Sequence, residues 1–289
     1  MAVPVGASDI RGLQIEKTVT GFALQEYVFK QLLINSPTSS WQDRYYQETA
    51  SDLTNANSPI EGVPRLANFP YAQVTWAQVN SYMKKHGCET LISWEDANTN
   101  DVDVIARSLL RIARAVTRSV DAEIWDVLSE SQSAVNINSV SITAGNEWDS
   151  ATIANRDPIQ DILNAKKEIA EENYNPDRNG YLLLNPKDYA NLLGNANIRN
   201  AGQFYTDDVT RNGGVGFLLG LKVLVSNNVT ADYAMVCIGQ EAGTWKEVQP
   251  LTTKTIENPG IGFTIRSFEI GAAQLRNPKA VCLISNTAA

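Results

Sequence analysis

Histidine is almost absent from this chain. His86 is the single one among 289 residues. That scarcity excludes most enzyme templates: a Ser-His-Asp triad, a histidine-based zinc site, a paired imidazole acid and base. Cysteine is scarce too. Cys88, Cys237 and Cys282 are odd in number and far apart, which argues against a disulfide framework and for a reducing compartment, with the thiols as small core residues. His86 and Cys88 would share one face of a strand, but no second pair exists to complete a four-ligand metal site, so neither metal nor cofactor is expected. No apolar run approaches the length of a membrane span. The opening MAVPVGASDIRG lacks the positive start and apolar stretch of a signal peptide, and the expected compartment is the cytosol in which the chain is made. Basic charge is short as well. Lys and Arg number 24 against 32 Asp and Glu, a net charge of -8, which speaks against a surface built to grip phosphates.

What is present is size and periodicity. With 43% hydrophobic and 19% charged residues, the chain can bury a core as one large or two modest domains. Val102, Ile105, Leu109, Ile112, Val116, Val120, Ile124 and Val127 recur every three or four positions, which predicts a helix over about Asn100 to Leu128 with one face committed to burial. At 1.5 Å per residue it spans roughly 40 Å, where globular helices average about 11 to 12 residues. It reads as a strut. Its opposite face carries Arg107, Arg111, Arg114 and Arg118, four guanidinium groups in a line. Asp103 and Asp121, one turn away at either end, are expected to answer part of that charge. A solvated face and a salt-bridge surface toward another subunit or domain are both open readings; nucleic acid is a weaker third.

Residues 1 to about 40 read as an arm ending in a linker at Ser36-Pro37-Thr38-Ser39-Ser40. From Trp41 to about Ser51 the sequence suits an extended strand that includes Arg44, Tyr45 and Tyr46. Residues 52–70 hold Pro59, Gly62, Pro64 and Pro70 and predict an irregular tip with Glu61 and Arg65. Val74 to Lys84 alternates as a returning strand, and Glu89 to Trp94 leads into the strut helix. Two strands and a tip make an extended hairpin, which alone in water is marginally stable at best. No nearby amphipathic element offers cover, so the simplest support is another copy of the protein. Farther on, Ala134 to Thr143 predicts a half-buried strand. Asp157-Pro158 opens a helix that stops before Asn175-Pro176, and Tyr181 to Leu184 is a buried strand. Asn185-Pro186 starts a short helix to Leu193. Residues 195–214 read as a long loop, followed by strands Leu218 to Ser226 and Ala234 to Gly239. Thr244 to Ser285 is mostly strand, with turns at Asn258-Pro259-Gly260 and Asn277-Pro278. The fold class is α+β.

Two motif lookalikes fail. Asp96-Ala97-Asn98-Thr99-Asn100 matches the opening ligands of a calcium loop, but Asp101 occupies the glycine position and Arg107 the final ligand position. Gly214-Val215-Gly216 with Gly220 echoes a phosphate loop, yet no helix follows it. These glycines read instead as releasing a flexible loop into a strand. Glu168, Glu171 and Glu172 have the look of a solvated face.

The order of segments resembles the major capsid protein of tailed bacteriophages, the Hong Kong 97-like fold. The carrying stretches are Leu91-Ile92-Ser93-Trp94-Glu95-Asp96 with the long helix after it, Tyr181-Leu182-Leu183-Leu184-Asn185-Pro186, Leu218 to Asn227, and Arg276-Asn277-Pro278-Lys279-Ala280. The resemblance implies an N-terminal arm (1–40), an E-loop (41–93), and a peripheral domain (94–153 and 240–289) with its spine helix at about 100–128. It also implies an axial domain (154–239). It implies no enzyme activity, but a subunit that assembles with its own copies, through pentamers and hexamers, into an icosahedral shell around double-stranded DNA. The virion would be built in the host cytoplasm without sequence-specific DNA binding, beside a possible separate scaffold, portal and decoration proteins. Arg44, Tyr45, Tyr46, Glu61, Arg65 and the four strut arginines are the candidate inter-subunit contacts. The tip has no lysine for the covalent cross-link some members form, and the chain has no room for the scaffolding segment others carry. An encapsulin-like compartment enclosing cargo enzymes is the nearest alternative. An oligomeric enzyme using carboxylates is a distant one.

Overall fold

The computed structural model describes residues 27–48, 61–71, 76–95, 102–196, 198 and 216–288. The first part of the expected arm, part of the hairpin tip, the calcium lookalike, residue 197 and the 199–215 stretch lie outside them.

In chain order, a 3-10 turn at Lys30–Leu32 leads to β1 (Ile34–Pro37), β2 (Gln42–Glu48), β3 (Trp76–Tyr82) and β4 (Lys84–Ser93), then α1 (Val102–Leu128). After β5 (Asn138–Ser141) come α2 (Pro158–Glu171), α3 (Pro176–Asn179), β6 (Gly180–Leu184) and α4 (Pro186–Gly194). The chain closes with β7 (Phe217–Leu218), β8 (Leu221–Val225), β9 (Tyr233–Ile238), β10 (Gly243–Asn258), β11 (Gly262–Leu275) and β12 (Val281–Ser285).

The α+β expectation and the strut helix are both present. In α1 the stripe residues Leu109, Ile112, Val116, Val120 and Ile124 are buried, while Arg107, Arg111, Arg114 and Arg118 are exposed. The helix lies on a four-stranded sheet of order β1-β10-β11-β4, where Leu109, Ile112 and Ala113 meet Ile92 and Ile265. Three shorter helices begin at Asx-Pro pairs. The side chains of Asp157, Asn175 and Asn185 accept from the backbone N–H of Gln160 (3.2 Å), Asp177 (3.0 Å) and Lys187 (3.0 Å), while proline fills the first helical position, where no N–H is needed.

A second, six-stranded mixed sheet runs β5-β12-β9-β6-β8-β7. Its middle strands are apolar on both faces, as strands covered on both sides must be: Leu182, Leu183 and Leu184 of β6, Met235 and Val236 of β9, and Leu283 and Ile284 of β12 are buried. β5 and β12 fall in segments expected for the peripheral domain, yet β12 pairs with β9 of the expected axial segment and brings β5 into the same sheet. One hydrophobic core continues from Phe29 and Leu32 through Trp125 and Trp148 to this sheet.

Several local expectations are corrected. Ser36-Pro37 is not a linker: β1 pairs in parallel with β10, Ile34 opposite Thr244 and Pro37 opposite Glu247. Proline is tolerated there because β1 is an edge strand. The strand expected over Ala134 to Thr143 shrinks to Asn138–Ser141, because Glu130, Ser131, Gln132 and Ala134 all take positive φ and form a turn after α1. Leu218 to Ser226 is two strands, since Leu219 (φ 53°) and Gly220 (φ 81°) make a two-residue hairpin turn. The returning hairpin strand ends at Tyr82. Beyond Met83, β4 leaves the hairpin and pairs with β11 along its whole length.

Candidate functional site

The hairpin of β2 and β3 is a sheet of its own, with Gln42 opposite Tyr82 and Glu48 opposite Trp76. Among its described side chains none is buried. A two-stranded ribbon whose better-covered face, Asp43, Tyr45, Gln47, Val79 and Ser81, is only half-buried lacks the apolar burial that stabilises larger sheets. Arg44 and Tyr46 are exposed, as are Trp41 and Tyr82 at the base. At the tip Glu61 and Arg65 are exposed, and so are three large apolar side chains, Leu66, Phe69 (85% exposed) and Tyr71. A tight turn, in which Ala67 N–H donates to the Pro64 carbonyl at 3.1 Å, presents Leu66 in a left-handed conformation, φ 68°.

The foot of the ribbon is held by polar contacts. Gln47 Nε2 donates to the Leu275 carbonyl (3.0 Å), Gln274 Nε2 donates to Asp43 Oδ2 (3.1 Å), and Lys246 stands 3.8 Å from the same carboxylate. Tyr45 turns toward this foot, and burial raises its phenol above the ordinary range. The structure thus brings Arg44, Tyr45 and Tyr46 together at the ribbon base, along one cleft. Glu61 and Arg65 lie apart from them at the tip, and the four α1 arginines form a third group.

Asp121 does not answer the charge on the α1 face. Asp121 turns away from Arg118 into the core and accepts the backbone N–H of Val28 (2.9 Å) and Phe29 (3.1 Å). It satisfies two backbone donors that would otherwise lack partners. Burial outweighs these bonds and raises its carboxyl to about 6. The side chain of Asp103 lies outside the described set. Arg107, Arg111 and Arg118 have no carboxylate within ion-pair distance among the described residues.

Two further clusters were invisible in the sequence. Glu269, fully buried on β11, accepts from Lys30 Nζ (2.7 Å), Trp245 Nε1 (3.2 Å) and the Tyr27 hydroxyl, and Lys30 also reaches Glu247 (3.1 Å). Burial, and then the Glu269 charge, hold the Tyr27 phenol well above its usual range. Together with Asp121 this clamp fixes residues 27–30 against the core. The other cluster contains the lone histidine. His86 is buried between α1 and β4, with Nδ1 2.8 Å from Ser119 Oγ and Nε2 2.8 Å from a Glu123 carboxylate oxygen. Lys84 approaches the same carboxylate at 3.5 Å. The histidine pins strand to helix. Cys88 is only half-buried and takes no part. Among the described residues, no group of three His, Cys, Asp or Glu side chains could hold a metal ion.

A family model described as phage capsid protein matches residues 78–284. The chain belongs to that family. It is a structural subunit of a phage capsid and not an enzyme. The fold is also similar to solved structures. The capsid of cyanophage P-SCSP1u superposes with a TM-score of 0.67 at 13% identity, covering 90% of this chain and 88% of that one. A virus-like particle from Pyrococcus furiosus gives 0.63 at 13%, covering 95% and 99%. The mature capsid of bacteriophage PhiM1 gives 0.58 at 13%, covering 89% and 86%. No curated protein matches the sequence. No described helix is long and apolar enough to cross a membrane.

Proposed function

We propose that this subunit closes into pentamers and hexamers, which together build an icosahedral shell around double-stranded DNA. The observation that carries the reading is the β2–β3 ribbon: none of its described side chains is buried, and its tip exposes Leu66, Phe69 and Tyr71. Burying such side chains fully stabilises by about 1.5 to 3 kcal/mol each. Among the described residues none covers the tip, so a second copy would supply the surface, and a heterologous contact gives a ring when its rotation closes. In this reading residues 1–40 act as the arm, 41–93 as the E-loop, 94–153 and 240–289 as the peripheral domain, and 154–239 as the axial domain. Arg44, Tyr45, Tyr46, Glu61, Arg65 and the α1 arginines contact neighbouring copies. The net charge of -8 suits a wall that encloses DNA without holding its phosphates. A separate scaffold, a portal and decoration proteins would complete the particle in the host cytoplasm.

Electron microscopy of the purified subunit, with light scattering at low and high salt, tests this. Closed shells, or rings of five and six, are expected. A dimer or tetramer under every condition, with or without a candidate scaffold, refutes it. Leu66→Ser/Phe69→Ser should leave the melting temperature of the unassembled subunit unchanged and abolish shells, and Arg111→Ala/Arg114→Ala should impair them. Normal particles from either variant would remove that contact from the interface. The likeness to a virus-like particle supports a second reading, an encapsulin-like shell holding protein cargo. Nucleic-acid content of particles recovered from the native host separates the two.

A further inference from the structure

Between β1, the foot of β2 and the start of the β10–β11 ribbon lies a cleft of about 690 Å³. Its charge is unbalanced. Arg44, Lys246 and Arg276 line it against one carboxylate, Asp43, and that carboxylate is already engaged by Gln274 Nε2 at 3.1 Å and Lys246 at 3.8 Å. Lys246 donates in addition to Ser36 Oγ at 3.2 Å. Arg44 and Arg276 are exposed, and neither has a carboxylate within ion-pair distance among the described residues. In the wall of the same cleft, Thr244 is 5% exposed and its hydroxyl has no hydrogen-bond partner. A buried hydroxyl left unpaired is unusual in a settled structure and is relieved by an incoming oxygen.

We propose that this cleft receives a carboxylate side chain from a neighbouring copy of the chain, with Arg44 and Arg276 closing on it at the foot of the hairpin. Guanidinium forks match carboxylates in two-point contact, which fixes orientation as well as attraction. The occupant is a second copy for two reasons. Each copy carries 32 acidic side chains against 24 basic ones, so an approaching neighbour presents carboxylates. The cleft is also continuous with the ribbon, none of whose described side chains is fully buried. The proposal rests on the shell reading and adds to it the charged seat that sets the angle of the hairpin.

The test compares wild type with Arg44→Glu/Arg276→Glu. Melting of the unassembled subunits establishes that both fold, and light scattering with electron microscopy gives the concentration at which particles appear. Reversal should raise that concentration at least about tenfold, while Arg44→Lys/Arg276→Lys stays near wild type. In wild-type particles made from mixed isotope-labelled and unlabelled subunits, carbodiimide should join Lys246 to a carboxylate of another copy. Assembly of the reversed variant at the wild-type concentration overturns the proposal, as does cross-linking of Lys246 only within its own chain. If the reversed variant does not fold, the cross-link on wild type alone decides. Wild type that forms no particles sinks the shell reading, and this inference with it; particles from both proteins sink the cleft alone.

Discussion

Replacing Glu269 with alanine should loosen the arm from the core, and the structure sets the size of the effect. Glu269 is fully buried and is the shared acceptor for Lys30, Trp245 and Tyr27. Removing it leaves an indole N–H and a phenol without their partner, each costing about 1 to 3 kcal/mol if it stays dry. It also takes from Lys30 the nearer of its two carboxylates, the other being Glu247 at 3.1 Å. Breaking a buried ion pair from one side costs about 3 to 5 kcal/mol. These terms do not add, because Lys30 can shift fully to Glu247 and water can enter at Tyr27. An overall loss of about 3 to 5 kcal/mol is therefore expected. Against a total stability of about 5 to 15 kcal/mol this is large, and it corresponds to a fall of roughly 10 °C in melting temperature. Urea denaturation and thermal melting of the unassembled subunit measure it. Glu269→Gln keeps the shape and an acceptor oxygen, and should lose about half as much. If alanine melts within about 2 °C of wild type, the clamp is ornamental and the account of the arm anchor is wrong.

Asp121 makes the pH behaviour specific. Its carboxyl is raised from 3.8 to about 6, chiefly by burial, so between those values the folded chain holds more protons than the unfolded one. Stability from this group therefore rises as pH falls from 7 and declines as pH climbs through 6. Relative to Asp121→Asn, wild type should gain about 2 kcal/mol between pH 7 and pH 4.5 by urea denaturation; a constant difference across that range would contradict the assignment. Asp188, also raised to about 6 by burial, works in the same direction in both proteins and so cancels. At Gly262, φ is 151° and an added Cβ would stand 2.1 Å from the Ile92 carbonyl oxygen. Gly262→Ala should destabilise by about 3 kcal/mol or more, and a neutral result by the same measurement would show that β4 and β11 can part there at little cost.

Local chemistry was legible wherever the signal is short-range. Asp157, Asn175 and Asn185 cap because an Asx side chain before proline can reach only the next free N–H groups. The α1 stripe was legible because burial on one face imposes a 3.6-residue period whatever the neighbour is. The errors fall where a distant partner decides. Ser36-Pro37 looks like a break, and becomes strand only because β10, more than two hundred residues later, offers an edge. Asp121 has the spacing of a helix-surface ion pair and instead caps the arm. Leu218 to Ser226 looks like one strand because Leu219 gives no hint of a positive φ.

The candidate contacts divide the same way. Tip residues such as Glu61 and Arg65 could be picked out because proline and glycine around them forbid regular structure. Nothing marked Thr244, Lys246, Gln274 or Arg276 as companions of Arg44, since their nearness arises only when the β10–β11 ribbon folds back beside β1 and the hairpin foot.

By itself, then, the sequence determined what does not depend on distant partners: the period of the strut helix, the Asx-Pro helix starts, the scarcity of catalytic side chains, and the two strands of the hairpin. The tertiary structure alone decided where charges end up. A carboxylate such as Glu269 or Asp121 becomes an anchor only when chain closure strips its water and brings donors from remote segments to within 3.2 Å, and no local pattern encodes that meeting.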